Sequence, residues 1–248
     1  MQFLILFLLF FSGSLLAKTA QVAIVIDDIG YRHTDARALD LPGALTYSIL
    51  PHTPFGKRLA LKAQQQNDEV LLHIPMEAEN GKKLGPGALT SEMNEQDIRE
   101  SLERSFKEIP FAIGINNHMG SRLTRLYQPM VWTMHYLKEQ NMLFLDSMTT
   151  DDSQAGTVAT QLGVPTLYRQ VFLDNQLTSD YIQGQFQQLI GDAQKNQTAI
   201  AIAHPHPETI AALTKLLPTL VDNDIELVPL SYLLPQRKTY NTSLTITD

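Results

Sequence analysis

Cysteine is absent from all 248 residues of the chain. This absence excludes a disulfide scaffold, a thiol nucleophile and a zinc site built from thiolates. It also excludes membrane attachment through a lipidated cysteine. A transition metal would therefore have to be held by histidine, aspartate and glutamate side chains.

Basic residues are too few to outweigh the acidic ones. The chain has 19 Lys and Arg against 26 Asp and Glu, which gives a formal net charge of −7. Binding to nucleic acid requires cationic side chains that neutralise phosphates, so a nucleic-acid partner is not expected. The acidic balance identifies no other partner, and protein partners are left open.

The longest apolar run is at the amino terminus. Residues 1–17, MQFLILFLLFFSGSLLA, are almost wholly apolar and end in small residues. The run is shorter than the roughly 20 residues of a membrane span and predicts a signal peptide cleaved after Ala17. No Lys or Arg precedes it and Leu15 is large for its position, so an uncleaved N-terminal anchor is the alternative. Either interpretation predicts an exported protein, periplasmic or extracellular, without an integral membrane domain.

The rest of the chain alternates between short apolar runs and longer amphipathic segments. Apolar runs of roughly four to eight residues are typical of strands buried on both faces. The runs are 22–26, 44–50, 70–74, 112–115, 142–145, 166–173, 198–203 and 225–230. This order predicts an α/β fold, a parallel, distorted (β/α) barrel of about seven to eight strands. We expect one domain over residues 18–236, followed by a polar tail over 237–248.

The segments between the runs fit helices. Ser91 or Asn94 would cap the first helix, and Pro207 suits the first turn of the last. Residues 77–89 hold three glycines and one proline, which predicts a long loop. The predicted helices are 93–107, 129–140, 181–195 and 207–223.

Polar residues directly follow several of the apolar runs. The carboxyl ends of parallel strands form one rim of a barrel, so these side chains are expected to converge. The adjacent carboxylates of Asp27 and Asp28 repel each other, and each costs several kcal/mol to bury unless a cation or a donor compensates. Together with the histidines they predict a metal site. The rim residues are Asp27, Asp28, His73, Glu77, Asn116, Asn117, His118, Asp146, Arg169, Asp174, His204 and His206.

Structural explanations compete with this interpretation. A lone Asp after a strand is more often a helix cap than a ligand, and Asp146 could simply cap. His33 falls in a polar turn, His52 in a proline-flanked loop and His135 within a helix, so these three are assigned structural roles. Trp132 lies in a predicted helix and is assigned to the core.

Five stretches carry a resemblance to a known family. They are VAIVIDDIGYR (22–32), LLHIPMEA (71–78), GINNHMGS (114–121), FLDS (144–147) and AIAHPHPETI (201–210). From about residue 22 to residue 234 the chain resembles the divergent polysaccharide deacetylases, a distant branch of the carbohydrate esterases. The resemblance implies a deacetylase-like barrel, a glycan substrate and one divalent metal. Zinc is the first choice, although cobalt, nickel or manganese would also suit the ligands.

The resemblance also assigns roles to residues. It implies that Asp27 is the general base and Asp28 a metal ligand. Ordinary polysaccharide deacetylases add two histidines four residues apart, and here His73 fills the first position and Glu77 the second. Either Glu77 replaces the ligand or His118 supplies the missing imidazole. We favour Asp28, His73 and His118 as the ligand set.

Supporting roles follow from the same resemblance. The general acid corresponds to His204, with His206 as the alternative. Asp146 is expected to orient a ring nitrogen, and Asn117 is an alternative ligand or supporting residue. Arg169 either balances the acidic cluster or is an ordinary ion-pair partner.

The expected activity is that of a metal-dependent hydrolase that removes N- or O-acetyl groups from an envelope polysaccharide or a glycan fragment. The glutamate at position 77 keeps a first alternative open, a catalytically inactive glycan-binding or envelope-scaffolding protein on the same barrel. A metal-dependent phosphoesterase is the second alternative. It would need a second cation, and it would need more cationic side chains to bind phosphate than Arg122 and Arg169.

Overall fold

Within residues 19–235, which the structure describes, a parallel sheet of nine strands forms the centre of the protein. The structure is a computed structural model. The predicted signal peptide (1–17) and polar tail (237–248) lie outside the described residues. The strands are β1 (Ala20–Ile29), β2 (Thr46–Ile49), β3 (Glu69–Met76), β4 (Gly114–Met119), β5 (Leu143–Asp146), β6 (Thr166–Tyr168), β7 (Val171–Phe172), β8 (Thr198–Ala203) and β9 (Ile225–Leu227).

The strands follow the order β6-β5-β4-β3-β2-β1-β8-β7, and β9 pairs with the amino-terminal end of β1. The ladders between neighbouring strands are parallel. The sheet curls, with β6 and β7 at the ends of the path, and no ladder joins these two within the described range. The predicted parallel, distorted barrel is confirmed, with an opening along one seam.

The single strand expected over 166–173 is wrong. The chain pairs with β5 as β6, leaves the sheet at Arg169, and pairs with β8 as β7. Gln170 makes the change of neighbour favourable, because its backbone and side chain bind both polar groups of Ile200. Gln170 N donates to Ile200 O at 2.9 Å, and Ile200 N donates to Gln170 Oε1 at 2.7 Å.

Helices cover the sheet, and their ends follow the sequence signals. Asn94 caps the helix Glu95–Glu108 by accepting a hydrogen bond from Asp97 N at 3.1 Å, and Pro207 lies in the first turn of the helix Pro207–Leu216. The helix expected over 207–223 ends early, and a 3-10 turn continues it over Leu217–Asn223. Within residues 19–235 no helix is long and apolar enough to cross a membrane. The α-helices are α1 (Gly56–Gln65), α2 (Glu95–Glu108), α3 (Tyr127–Glu139), α4 (Ala155–Leu162), α5 (Ser179–Asn196) and α6 (Pro207–Leu216).

Both faces of β1 are buried. Val22, Ile24 and Ile26 belong to the larger apolar cluster, whereas Ala23 and Val25 belong to a smaller cluster on the other face. A strand covered on both sides has no polar face, which explains why its sequence does not alternate. The polar residues at its end are therefore in a position where burial must be compensated.

Candidate metal centre

A bulge near the end of β1 aims two consecutive carboxylates at one place. In a regular strand the side chains of Asp27 and Asp28 would point to opposite faces. The pairing with β2 shifts by one residue between Ile26 and Ile29, and Asp28 has a positive φ of 58°. Both carboxylates therefore approach His73 Nε2, at 3.6 Å for Asp27 Oδ2 and 3.1 Å for Asp28 Oδ1. Such backbone strain costs about 1–3 kcal/mol and is typical of functional sites.

Three side chains from adjacent parts of the sheet present ligand atoms to a common centre. Asp28 Oδ1 lies 2.8 Å from His118 Nδ1 and 3.1 Å from His73 Nε2, and the two nitrogens are 3.2 Å apart. Ligands at about 2.1 Å from a shared ion are about 3.0 Å apart at right angles and about 3.4 Å apart in a tetrahedron. The three separations lie within a few tenths of an ångström of that range, so the group fits one divalent cation.

The buried oxygen of Asp28 supports this fit. Asp28 Oδ1 has no hydrogen-bond partner among the described residues, although two imidazoles lie within 3.1 Å. Burial raises the pKa of Asp28, but its contacts with His118 and His73 lower that pKa well below its ordinary value. The carboxylate is therefore ionised at neutral pH. A buried ionised oxygen without a donor is costly, and a cation would compensate for it.

Asn116 connects this centre with Asp27. It is fully buried, and its Nδ2 donates to the two carboxylate oxygens of Asp27 at 2.9 and 3.1 Å. Its Oδ1 lies 2.8 Å from His73 Nδ1 and also accepts a hydrogen bond from the Ser48 hydroxyl. Because the amide nitrogen faces Asp27, the amide oxygen must face His73. Nδ1 of His73 therefore carries a proton, and Nε2 is the nitrogen available to a metal.

Burial and charge act in opposite directions on Asp27 and His73. Burial raises the pKa of Asp27, and although His73, His204 and Asn116 oppose this rise, the net change is upward. Burial lowers the pKa of His73, but the charges of Asp27 and Asp28 raise it overall. Positive charge is therefore favoured beside these two carboxylates.

A second histidine–aspartate pair follows β7 and β8. His204 Nδ1 lies 2.9 Å from Asp174 Oδ1, and Asp174 Oδ2 accepts from His204 N at 2.7 Å and from Thr209 Oγ1 at 2.9 Å. Burial lowers the pKa of His204, but the hydrogen bond and charge of Asp174 raise it to about 9. The ring of Phe172 stacks on the imidazole, with 5.6 Å between centroids and planes 5° apart. These contacts fix the ring and leave Nε2 available to a ligand.

One cleft borders both groups. Asp28 and His118 of the first group and His204 and His206 of the second group line it. Tyr31 is 49% exposed and forms part of the same wall. The remaining lining residues are Arg32, Asp35, Leu50 and Pro205. A substrate in this cleft would contact the ion ligands and His204 together.

The sequence profile of the family described as divergent polysaccharide deacetylase matches residues 24–234. The chain belongs to this family. The YibQ protein of Escherichia coli (strain K12) is 39% identical over 215 residues, which cover 86% of this chain and 67% of that protein. A protein of Haemophilus influenzae (strain ATCC 51907 / DSM 11121 / KW20 / Rd) is 36% identical over 220 residues, covering 88% of this chain and 78% of that one.

Solved structures share the fold of this divergent polysaccharide deacetylase family member. The uncharacterized protein ATU2773 from Agrobacterium tumefaciens C58 has a TM-score of 0.82 and 27% identity, covering 88% of this chain and 90% of that chain. Wild-type BA3943 from Bacillus anthracis is described as a CE4 family pseudoenzyme. It has a TM-score of 0.51 and 14% identity, and the match covers 87% of this chain and 65% of that chain. At that identity the second likeness concerns the fold alone.

Glu77, the alternative ligand, has other partners in this family member. Its Oε2 accepts from Ser91 N at 2.6 Å, and its Oε1 lies 3.0 Å from Arg122 Nε. The hydrogen bonds from Ser91 lower the pKa of Glu77, and Arg122 adds to this effect. Glu77 thus holds the ends of the predicted 77–89 loop. The structure groups His118, rather than Glu77, with Asp28 and His73.

Asp146 and Asn117 hold backbone rather than imidazole rings. The expected role of Asp146 in orienting a ring nitrogen is wrong, because its carboxylate accepts from Met148 N at 2.9 Å and from Ser153 Oγ at 2.8 Å. Its Oδ2 also accepts from Gly156 N at 3.3 Å in the first turn of α4, although Gln154 is the N-cap residue of that helix. Asn117 accepts from Ser147 N at 2.9 Å and so ties the end of β4 to the residue after β5.

Arg169 binds carbonyl oxygens at the seam of the sheet. Its Nε donates to Ser147 O and its Nη2 donates to Met148 O, each at 2.7 Å. Its guanidinium also lies 4.3 Å from the centroid of the Phe172 ring. Burial lowers the pKa of Arg169 despite the charges of Asp146 and Asp27. Arg169 thus binds backbone carbonyl groups and is not the ordinary ion-pair partner that one of the two alternatives predicted.

Asn116 and Asp174 were predicted to lie on the rim, but no individual role was predicted for either residue. A signal existed for each, since Asn116 is two residues from His118 in one strand and therefore on the same face, and Asp174 directly follows an apolar run. The histidines assigned structural roles lie outside both groups. His52 pairs with Glu108 at 2.6 Å, His33 packs against Phe55, and His135 is exposed on α3. Trp132 packs against the core.

Proposed function

We propose that the protein is an exported, metal-dependent hydrolase that removes N- or O-acetyl groups from an envelope polysaccharide or a glycan fragment. One observation carries the proposal. A buried carboxylate oxygen of Asp28, without a hydrogen-bond donor, lies within 3.1 Å of His73 Nε2 and His118 Nδ1. Family membership supports a glycan as the substrate class, and a cleft borders two of the three proposed ligands.

Asp28, His73 and His118 would hold one divalent cation, with zinc the first choice for a nitrogen and oxygen ligand set. When bound, such an ion would supply a Lewis acid for the acyl oxygen and would lower the pKa of a water molecule to about 7. Asn116 fixes His73 in the tautomer that this role requires. The ligand set needs neither Glu77 nor a cysteine.

Asp27 is the group that accepts a proton from the attacking water. Its carboxylate accepts hydrogen bonds from Asn116 Nδ2, and its Oδ2 lies 3.6 Å from the ligand atom Nε2 of His73. His204 donates a proton from Nε2 to the leaving amine or alcohol, since its Nδ1 is bound to Asp174. Each of these proton transfers typically contributes about 10² to 10⁴ in rate.

The test is acetate release from N-acetylated and O-acetylated glycans by the full mature chain. We expect activity that is lost with a chelator, restored by zinc, and lowered at least about 100-fold by Asp28→Asn and by Asp27→Asn. Asp152→Asn is the matched control, because that carboxylate is 72% exposed. Equal turnover by wild type and the two site variants would refute the assigned roles.

An inactive glycan-binding protein is the second candidate. The observation that favours it is Glu77, which binds Ser91 and Arg122 at the position where ordinary polysaccharide deacetylases have a second histidine ligand. A chain that binds glycan and metal yet releases no acetate from any substrate would support this candidate instead. A phosphoesterase is disfavoured, because the two potential ion-binding groups share no bridging carboxylate.

A further inference from the structure

A second cluster of ligand atoms borders the same cleft. Asp174, His204 and His206 each offer one atom, and these atoms are within 4.8 Å of one another. We propose that this cluster is a second, weaker divalent-cation site, whose filling withdraws His204 from proton transfer. The binding of this second ion does not depend on the proposed function, whereas its effect on turnover rests on that function.

A tight turn brings the two imidazoles together. His206 N donates to His204 O at 2.8 Å across Pro205, a bond between residues two apart. The two rings are then 5.9 Å apart between centroids. His206 is the N-cap residue of α6, but its side chain makes no capping hydrogen bond. Its imidazole is therefore available as a ligand.

Asp174 has one oxygen that can bind an ion without loss of its structural contacts. Oδ2 holds the backbone of His204 and the hydroxyl of Thr209. Oδ1 contacts the ring of His204, with 2.9 Å to Nδ1. That separation is close to the roughly 3.0 Å expected of two ligands at right angles around an ion. A cation can thus replace the proton between Oδ1 and Nδ1.

The second cluster should bind more weakly than the centre at Asp28. In that first centre the carboxylate oxygen lacks a donor and its separations from the two imidazole nitrogens already suit an ion. In the second cluster an ion must displace an existing hydrogen bond, and His206 must move toward the pair. The two groups share no residue, so a substitution can remove a ligand of one group and leave the ligands of the other in place.

Filling the second cluster would oppose turnover. An ion on His204 takes the place of the Asp174–His204 hydrogen bond that holds the ring for proton donation. Acetate release is therefore expected to rise with the first equivalent of zinc and to fall as a second equivalent binds.

The test is equilibrium dialysis of the full mature chain against Zn²⁺, followed by metal analysis. Wild type should bind two ions, His206→Ala one and His73→Ala one. His33→Ala is the control for adventitious binding by an exposed histidine and should retain two ions. His206→Gln, which keeps the side-chain size, should match His206→Ala. Saturation of wild type at one ion, or two ions in both His206 variants, would overturn the proposal.

The same measurements separate this inference from the hydrolase proposal. If wild type binds two ions and His206→Ala binds one, but wild type releases no acetate from any glycan, the second ion site is supported and the hydrolase proposal is refuted. If wild type releases acetate but is saturated by a single ion, the hydrolase proposal is supported and the second ion site is refuted. In an active enzyme, the decline at excess zinc should be absent from the residual activity of His206→Ala.

Discussion

The side-chain oxygen of Asn116 lies 2.8 Å from Nδ1 of His73. The amide cannot turn around, because its nitrogen donates to both oxygens of Asp27. One buried amide therefore sets the proton position on a proposed metal ligand and the orientation of the proposed general base. Groups that orient a ligand in this way typically change metal affinity by about 10- to 100-fold when removed.

Asn116→Leu should weaken zinc binding by about 10- to 100-fold, because His73 loses the acceptor that fixes its tautomer. Competition with a chromophoric chelator measures the affinity. Asn196→Leu, an exposed substitution at the end of α5, is the control and should bind zinc like wild type. Unchanged affinity in folded Asn116→Leu would show that the amide does not position His73.

His204→Ala should lower kcat for acetate release by about 10² to 10⁴ and leave the tightly bound metal ion in place. The reason is that His204 is outside the Asp28 group, so its loss removes a proton donor and not a ligand. Metal analysis and steady-state kinetics on the same sample measure both quantities. His135→Ala, on the exposed face of α3, should change neither.

Asp28→Gly should be more stable than Asp28→Ala by about 1 kcal/mol when metal is removed. Both substitutions delete the carboxylate, but only glycine adopts a φ of 58° without strain. Urea unfolding of the two variants in the presence of a chelator gives the comparison. Equal midpoints would indicate that the bulge relaxes when the carboxylate is removed.

Asp68→Asn should stabilise the protein at pH 8 and have little effect at pH 4. Burial raises the pKa of Asp68 from 3.8 to about 6, so its protonated form is favoured in the folded state. The stability from this group is full below about pH 3.8 and is lost as the pH rises through about 6. Solvent screening limits the gain at pH 8 to about 1 kcal/mol, because the side chain is only partly buried. Urea unfolding at both pH values, with Asp152→Asn as the exposed control, measures it.

Tyr31→Ala should raise KM for a glycan about fivefold with little change in kcat. An exposed aromatic ring on the cleft wall offers a flat apolar surface, and losing it costs about 1 kcal/mol of binding. Tyr31→Phe keeps the ring and should retain the wild-type KM. A rise in KM for both variants would assign the effect to the hydroxyl group.

The sequence predicts the architecture well, since unbroken apolar runs such as that before Asp27 are specific to strands covered on both faces. It also predicts that Asp28, His73 and His118 converge, because all three lie in the carboxyl-terminal halves of parallel strands. It fails where a side chain has two chemically sound uses. The carboxylate of Asp146 could orient an imidazole or hold a turn, and only the position of Met148 and Ser153 decides between them.

The run over 166–173 shows a second limit. Hydrophobicity alone cannot reveal that a strand changes neighbours, because both halves of the run are buried in the same way. The bulge at Asp28 was likewise invisible, although two adjacent carboxylates in one site require a departure from strand alternation. Two adjacent carboxylates cannot both face one site from a regular strand, and this mismatch is the feature of the sequence that indicates the bulge.

The sheet path ties the two groups of ligand atoms together. Asp28, His73 and His118 are on strands of the run from β1 to β4, and each of these strands has a neighbour on both sides. Asp174 follows β7, the strand at the end of the path, whereas β8, which precedes His204, pairs with β1 at six positions. A change in the distance between the proposed proton donor and the proposed ligand Asp28 would therefore require β1 and β8 to separate.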